Sequence, residues 1–241
     1  MNIKYRILQN YKIVNHSLFK FCYKREKTIG WPPLIISGSS GAGKVIIWII
    51  VQTTLKEHLL KTFPNKFEIN ISYTTRKQQN KERHGHDYFF IETETFENDV
   101  KANKFLEYSS KDYDFYGTRR DTVTHIVNSG KICLLEMDTK SLKMALGNGL
   151  KVAYRIFISP PNFESLRERL KIKYQNSNDD HINKMIIEAT KEIELANHLN
   201  LYHYIIQNRD KEVFVSNTSN LIRKLYPFVD ENSNNNLNRR I

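Results

Sequence analysis

From Leu34 to Val45 the chain reads Leu-Ile-Ile-Ser-Gly-Ser-Ser-Gly-Ala-Gly-Lys-Val, a short apolar run that turns into a glycine-rich segment ending in lysine. Glycines at 38, 41 and 43 leave room for backbone N–H groups to close around phosphate oxygens, and a lysine at this spacing supplies the point charge for the β- and γ-phosphates. Gly38, Ser39, Ser40, Gly41, Ala42, Gly43, Lys44 and Val45 are therefore the candidate triphosphate-binding residues, with Lys44 as the charged one. The pattern then asks for Ser or Thr, whose hydroxyl ligates Mg²⁺. Val45 has no hydroxyl to give, so Mg²⁺ would be held by phosphates and water, with no protein ligand assigned.

Such a loop works only between a buried strand and the start of a helix. The apolar run at 33–38 supplies the strand, and an apolar helical pattern over 43–62 supplies the helix. Further strands are expected at 67–72, 87–91, 104–109, 131–136, 152–158 and 203–207. Helices are expected at 93–101, 119–129, 139–147, 162–173, 181–199 and 210–225. Strand–helix alternation predicts a mostly parallel α/β sheet covered on both faces. The strands clustered between 67 and 110 break that rhythm and predict a small β-rich insertion with some antiparallel pairing. Val45 to Val51 is apolar on every side, the pattern of a buried helix; the alternative reading makes helix 43–62 a partner surface.

The chain has 241 residues and a net charge of +11, with 40% hydrophobic and 26% charged residues. That composition fits one globular α/β domain with a short appendage at each end. The basic balance suits polyanionic partners. No zinc-ligand spacing and no aromatic–basic signature accompanies it, so nucleic acid is the least favoured of these. No apolar run is long enough to span a bilayer. Cys22 and Cys133 stand far apart, and Cys133 lies inside an apolar run. Free thiols, a reducing compartment and a cytoplasmic monomer are expected. Residues 1–30 carry Lys4, Arg6, Lys12, Lys20, Lys24 and Arg25 and no acid before residue 26. Organelle transit peptides and plain basic extensions share that composition. Residues 229–241 are Asn-rich and polar, the composition of a disordered tail.

A series of short tags follows the glycine-rich loop. These are Ser72-Tyr73-Thr74-Thr75-Arg76, Gly85-His86-Asp87-Tyr88, Phe105-Leu106-Glu107-Tyr108, Tyr116-Gly117-Thr118, Leu135-Glu136-Met137-Asp138 and Ile158-Ser159-Pro160-Pro161. In this order and spacing the series resembles guanylate kinase, which phosphorylates GMP with Mg²⁺ and ATP, and the resemblance covers about 33–225. It implies a P-loop nucleoside monophosphate kinase fold, with a GMP-binding insertion at about 67–118 and a helical lid at about 171–185. The resemblance makes Glu107 the guanine reader, and a carboxylate can accept both N1–H and N2–H₂ of that base. It places Ser72 and Thr118 on the base edge, and Arg76, Tyr88 and Tyr116 on the GMP phosphate. Glu136 and Asp138 become the acids at a strand end facing metal and phosphates. Lys44, Arg76, Asp138, Arg169 and Lys173 are the implied catalytic set.

Several positions depart from the family pattern. Gln79 stands where the family has a second phosphate-binding arginine, and Glu136 where an aspartate is usual. In the lid, Arg169-Leu170 persists, but Lys173-Tyr174 replaces Arg-Gly, and Lys184-Met185 occupies the neighbourhood of the next arginine. Lysine keeps the charge and loses the planar fork. Three functions follow for comparison: an active guanylate kinase, a catalytically weak module that binds nucleotide or a phosphorylated partner, and a basic nucleic-acid-binding protein.

Overall fold

The computed structural model describes residues 30–38, 47–175 and 177–230, with side chains described except at 47–54 and 173. Ser39 to Val45, both terminal segments and Cys22 lie outside the described residues. In chain order the elements are β1 (Leu34–Gly38), α1 (Ile47–Thr62), β2 (Phe67–Ile69), β3 (Tyr73–Thr74), β4 (Phe89–Phe90), α2 (Thr93–Lys101), β5 (Phe105–Lys111) and β6 (Asp114–Arg119). They continue with α3 (Arg120–Asn128), β7 (Ile132–Glu136), α4 (Thr139–Gly147), β8 (Tyr154–Ser159), α5 (Phe163–Lys173), α6 (Asp179–Leu199), β9 (Tyr204–Gln207) and α7 (Lys211–Leu225), closed by a 3₁₀ turn at Pro227–Asp230.

β1 lies at the centre of a five-stranded sheet in the order β2-β7-β1-β8-β9, and every neighbouring pair is parallel. Its central strands β7, β1 and β8 are largely buried on both faces, which is why they read as apolar runs. Leu34, Ile36, Ile132, Leu134, Ile156 and Ile158 pack on one side with Leu55, Leu59 and Phe63 of α1 and Phe214, Leu221 and Ile222 of α7. Ile35, Cys133, Leu135 and Phe157 face the other side, against Val123 and Ile126 of α3 and Leu142 and Ala145 of α4. Burial pushes the Cys133 thiol up, so it stays protonated and acts as a small hydrophobe. Leu55, Leu59 and Phe63 put the described face of α1 in the core; the all-apolar stretch proposed as a partner surface falls on side chains outside the description.

The chain runs from β1 through α1 to β2 on one side, and later crosses from β7 through α4 to β8 on the other side of β1. This is the switch point at whose carboxyl ends α/β sheets bind ligands. Register brings Gly38 beside Ile158 and Ile36 beside Glu136, so the glycine loop and the acid-bearing strand end share one rim.

Between β2 and β7 the chain builds a second sheet in the order β4-β3-β6-β5, antiparallel at β3–β6 and β5–β6. Two expectations need correction. Phe67–Ile69 was assigned to the insertion, yet it pairs with β7 as the edge of the main sheet. And β6 was not expected as a strand. It follows β5 through Asp112-Tyr113, whose φ values of 51° and 69° make a two-residue turn of the kind that matches strand twist. Neither residue is glycine, so the usual hairpin signature is missing.

Side-chain caps start four of the helices, at or within two residues of the expected positions. Asp138, Asn162, Asn178 and Asp210 accept from the backbone N–H of Ser141, Ser165, His181 and Val213, at 2.7, 2.7, 2.9 and 2.9 Å. The Asn178 cap moves the start of α6 to Asp179. The helix expected from 181 therefore begins two residues earlier, with Asp179 and Asp180 in its first turn. α5 and α6 form a hairpin with a core of its own, made by Leu166, Leu170, Ile182, Met185 and Ala189.

Candidate functional site

β5 and β6 place Glu107 opposite Thr118, and both are buried, 7% and 2% exposed. The hydroxyl and backbone N–H of Thr118 and the hydroxyl of Ser141, on the first turn of α4, lie beside the Glu107 carboxylate and favour its charged form. Burial raises its pKa above the ordinary glutamate value; those donors oppose the rise and the nearby Asp138 charge adds to it. α4 clamps this end of the insertion to the main domain. Asn148 donates Nδ2–H to the Leu106 carbonyl at 2.9 Å, and the Tyr108 N–H meets the Met144 sulfur at 3.4 Å.

Strand alternation sends Tyr116 and Thr118 to the same face of β6. Tyr116 is also the register partner of Thr74, two residues before Arg76. The Arg76 guanidinium lies 5.4 Å from the Tyr88 ring and 5.6 Å from the Phe90 ring. The Tyr116 hydroxyl lies near that guanidinium and favours its charge, and the Tyr88 and Tyr116 rings meet edge to face at 6.1 Å. Burial, with Tyr116 adding and Arg76 opposing, raises the Tyr88 pKa, so its hydroxyl is a neutral donor. Ser72 is half-buried just before β3, its carbonyl accepting from the Phe89 N–H at 2.9 Å.

Glu82 is the residue the sequence did not single out here. It takes both arms of Arg76, at 2.9 and 2.7 Å, and the backbone N–H of Gln79 at 2.8 Å. This fork keeps the guanidinium charged and fixes its plane. The Gln79 side chain is exposed. No periodicity or tag marks Glu82; only a carboxylate a few residues beyond a phosphate-binding arginine could have flagged it.

At the rim of the main sheet, Glu136 pairs with Lys56 of α1 at 2.7 Å. Asp138 commits Oδ1 to the cap of α4. It therefore orients Ser141 toward Glu107, a structural duty beside the phosphate-facing one expected of it. Arg169 of α5 donates to the carbonyls of Asn208 and Arg209, at 3.0 and 3.1 Å, just beyond β9. Lys173 ends α5, and its side chain is not described. The structure thus gathers Glu107, Thr118, Asp138, Arg76, Tyr88 and Tyr116 along the insertion and its junction with α4. Gly38 and Arg169 stand at the carboxyl rim of the main sheet. Ser39, Ser40, Gly41, Ala42, Gly43, Lys44 and Val45 lie outside the described residues.

Gly117, between Tyr116 and Thr118, is required by close approach. A Cβ there would meet Phe105 Cδ1 at 2.7 Å and the Glu107 carbonyl oxygen at 2.9 Å. Gly117→Ala is expected to push β5 from β6, destabilise the fold by about 1–3 kcal/mol, and weaken any ligand held by Glu107. Thermal melts and calorimetric titration of GMP measure the two effects; an unchanged melt would mean that the Phe105 ring yields freely.

Comparison with known proteins agrees with this architecture. A family model described as guanylate kinase matches residues 31–225. Guanylate kinase 1 of Oryza sativa subsp. japonica is 31% identical over 207 residues, covering 86% of this chain and 50% of the relative. Protein PALS1 of Danio rerio is 38% identical over 174 residues, covering 72% of this chain and 25% of the relative. The chain thus spans half or less of the length of these two relatives, one of which is not named as a kinase. The crystal structure of guanylate kinase from Anaplasma phagocytophilum superposes with a TM-score of 0.56 at 25% identity, over 82% of this chain and 87% of that one. Two sheets joined through α4, Gly38 at the switch point and a match along nearly the whole described chain lead to one conclusion: the chain belongs to the guanylate kinase family, with its α/β P-loop nucleoside monophosphate kinase fold.

Proposed function

We propose that this chain transfers the γ-phosphoryl group of ATP to GMP, giving ADP and GDP. The observation that carries the reading is Glu107, a buried carboxylate beside Thr118 and Ser141, on the same small sheet that leads to Arg76, Tyr88 and Tyr116. A base reader at one end and a cationic, phenol-flanked anion site at the other make a pocket with the polarity of a guanine nucleotide. Glu107 accepts from guanine N1–H and N2–H₂; adenine offers no such pair, so AMP is rejected. Arg76, held in plane by Glu82, takes the acceptor phosphate, and the Tyr88 and Tyr116 hydroxyls donate to it.

The acceptor oxygen of GMP is already anionic, so the reaction needs positioning and charge neutralisation more than a general base. Lys44 and the loop from Gly38 to Val45 hold the donor phosphates. Arg169 and Lys173 approach from the lid hairpin as the γ-phosphoryl group moves. A Mg²⁺ ion bound with ATP would supply charge neutralisation for the transfer. Among the described residues no group of three or more His, Cys, Asp or Glu side chains is placed to hold a metal. Glu136 is engaged by Lys56 and Asp138 by its cap. That donor set fits an ion carried mainly by ATP oxygens and water, which is how Mg²⁺ usually binds at such sites.

Val45, Gln79 and the PALS1 relative support a second reading, a weakly active module that keeps the GMP pocket and binds nucleotide or a phosphorylated partner. ADP release from Mg·ATP with GMP, and with AMP as the control, separates the two. GMP-dependent turnover well above the AMP rate is expected. A folded chain that binds GMP without turnover would instead fit the second reading.

A further inference from the structure

One buried polar chain is used by neither nucleotide site. Glu192, in the middle of α6, accepts from the backbone N–H of Thr139 at 2.7 Å and from the Thr139 hydroxyl at 2.5 Å. Thr139 is fully buried and opens α4. A hydroxyl has one proton to give. With the Thr139 proton directed at the carboxylate, the Tyr202 hydroxyl, 2.9 Å away, donates to Thr139. Hydrogen bonds therefore link α6 and Tyr202 to the start of α4.

We propose that Glu192 is a positioning residue for the guanine end of the acceptor site, acting through Thr139 on the first turn of α4. The inference rests on Glu107 reading guanine. α4 begins at Asp138–Thr139, and its third position is Ser141, whose hydroxyl lies beside Glu107 where α4 is held against β5 by Asn148 and Met144. Asp138 holds the Ser141 N–H. Glu192 holds the adjacent Thr139 N–H, which has no partner inside the helix. A carboxylate at this end also suits the helix dipole. Without it, the first turn of α4 has one tether fewer, and Ser141 loses its fixed distance to Glu107. α6 belongs to the lid hairpin, so the same contact ties lid position to the base-reading end.

Glu192→Ala and Glu192→Gln, each alone and combined with Ser141→Ala, test this in the full chain. In the unliganded protein, Glu192→Ala should speed amide exchange at Thr139 and Ser141 by about tenfold, with β8 amides unchanged. With substrates it should raise KM for GMP by about tenfold and leave KM for ATP within about twofold. Glu192→Gln, whose amide oxygen can still accept, should recover most of the loss. In the Ser141→Ala background Glu192→Ala should add little, because both act on one contact. Equal rises in both KM values, multiplying effects in the double variant, or unchanged exchange at α4 would each overturn the proposal. Glu192→Gln keeps the test alive if the alanine variant does not fold. A wild-type chain that neither binds nor turns over GMP overturns the proposed function, and the exchange measurement then still decides the tether.

Discussion

Glu107→Gln is expected to lower kcat/KM for GMP by about 10²–10³-fold while leaving KM for ATP unchanged. Both guanine contacts at this position are charge-assisted, each worth about 1.5–3 kcal/mol. The amide keeps one acceptor oxygen and turns an N–H₂ toward guanine donors that need an acceptor. In a closed site that mismatch is more damaging than simple absence. The same substitution should make the unliganded protein more heat-stable. Glu107 has a folded-state pKa raised above its unfolded value, chiefly by burial. Its contribution to stability is therefore complete below the unfolded pKa and is lost as pH rises through the folded one. At neutral pH the ionised group opposes folding, and glutamine removes that opposition. A higher melting temperature with collapsed GMP affinity is a pair of opposite signs that a generally damaged pocket cannot produce.

The pH dependence follows from the same shift. Guanine needs the ionised carboxylate, so GMP affinity should fall as pH drops through the raised Glu107 pKa, beginning above the ordinary glutamate range. Calorimetric titration across that window should show the decline in the wild type and a flat profile in Glu107→Gln. A parallel decline in both would assign the titration to another group, the GMP phosphate included.

How much of this was legible beforehand depended on the range of the interaction. Helices at 93–101 and 139–147 were placed to the residue, because their limits are local chemistry: the Asp138 cap before the second, and small or polar residues after both. The main strands were legible because burial on both faces leaves an unbroken apolar run. β6 was missed because its turn uses Asp112-Tyr113 in place of glycine. β2 was misassigned because a three-residue edge strand carries no mark of which sheet it joins. Glu107, Arg76 and Tyr116 were singled out through tags and not through chemistry visible in one dimension, and the structure puts them on or beside one small sheet. Ser141 and Glu192 carried no tag. The Glu192–Thr139 bond spans 53 residues of sequence, and only the packing of α6 on the start of α4 makes it.

Arg76→Lys should cost about 10²–10³-fold in kcat/KM for GMP, although it preserves the charge. The guanidinium is not free to move. Glu82 takes two of its N–H groups, Lys77 contributes a carbonyl at 2.9 Å, and Tyr88 and Phe90 lie against its plane. These contacts pre-set the donors that remain for phosphate, so little orientation is lost when GMP binds. An ammonium has no plane for Glu82 to hold and cannot make the forked contact. With Gln79 uncharged, Arg76 is the chief cation of this site, and no neighbouring arginine at position 79 compensates. Guanosine, which lacks the phosphate, supplies the control: its affinity should be the same in wild type and Arg76→Lys. If guanosine weakens as much as GMP, the substitution has deformed the base site and Arg76 is not the phosphate ligand. Glu82→Gln separates orientation from competition. If Glu82 orients the arginine, GMP affinity falls by about tenfold; if its carboxylate occupies the seat of the phosphate, removing the charge raises the affinity instead. The bidentate geometry favours the fall, because a carboxylate on one edge of the fork leaves the other N–H groups directed at the Tyr116 side of the pocket.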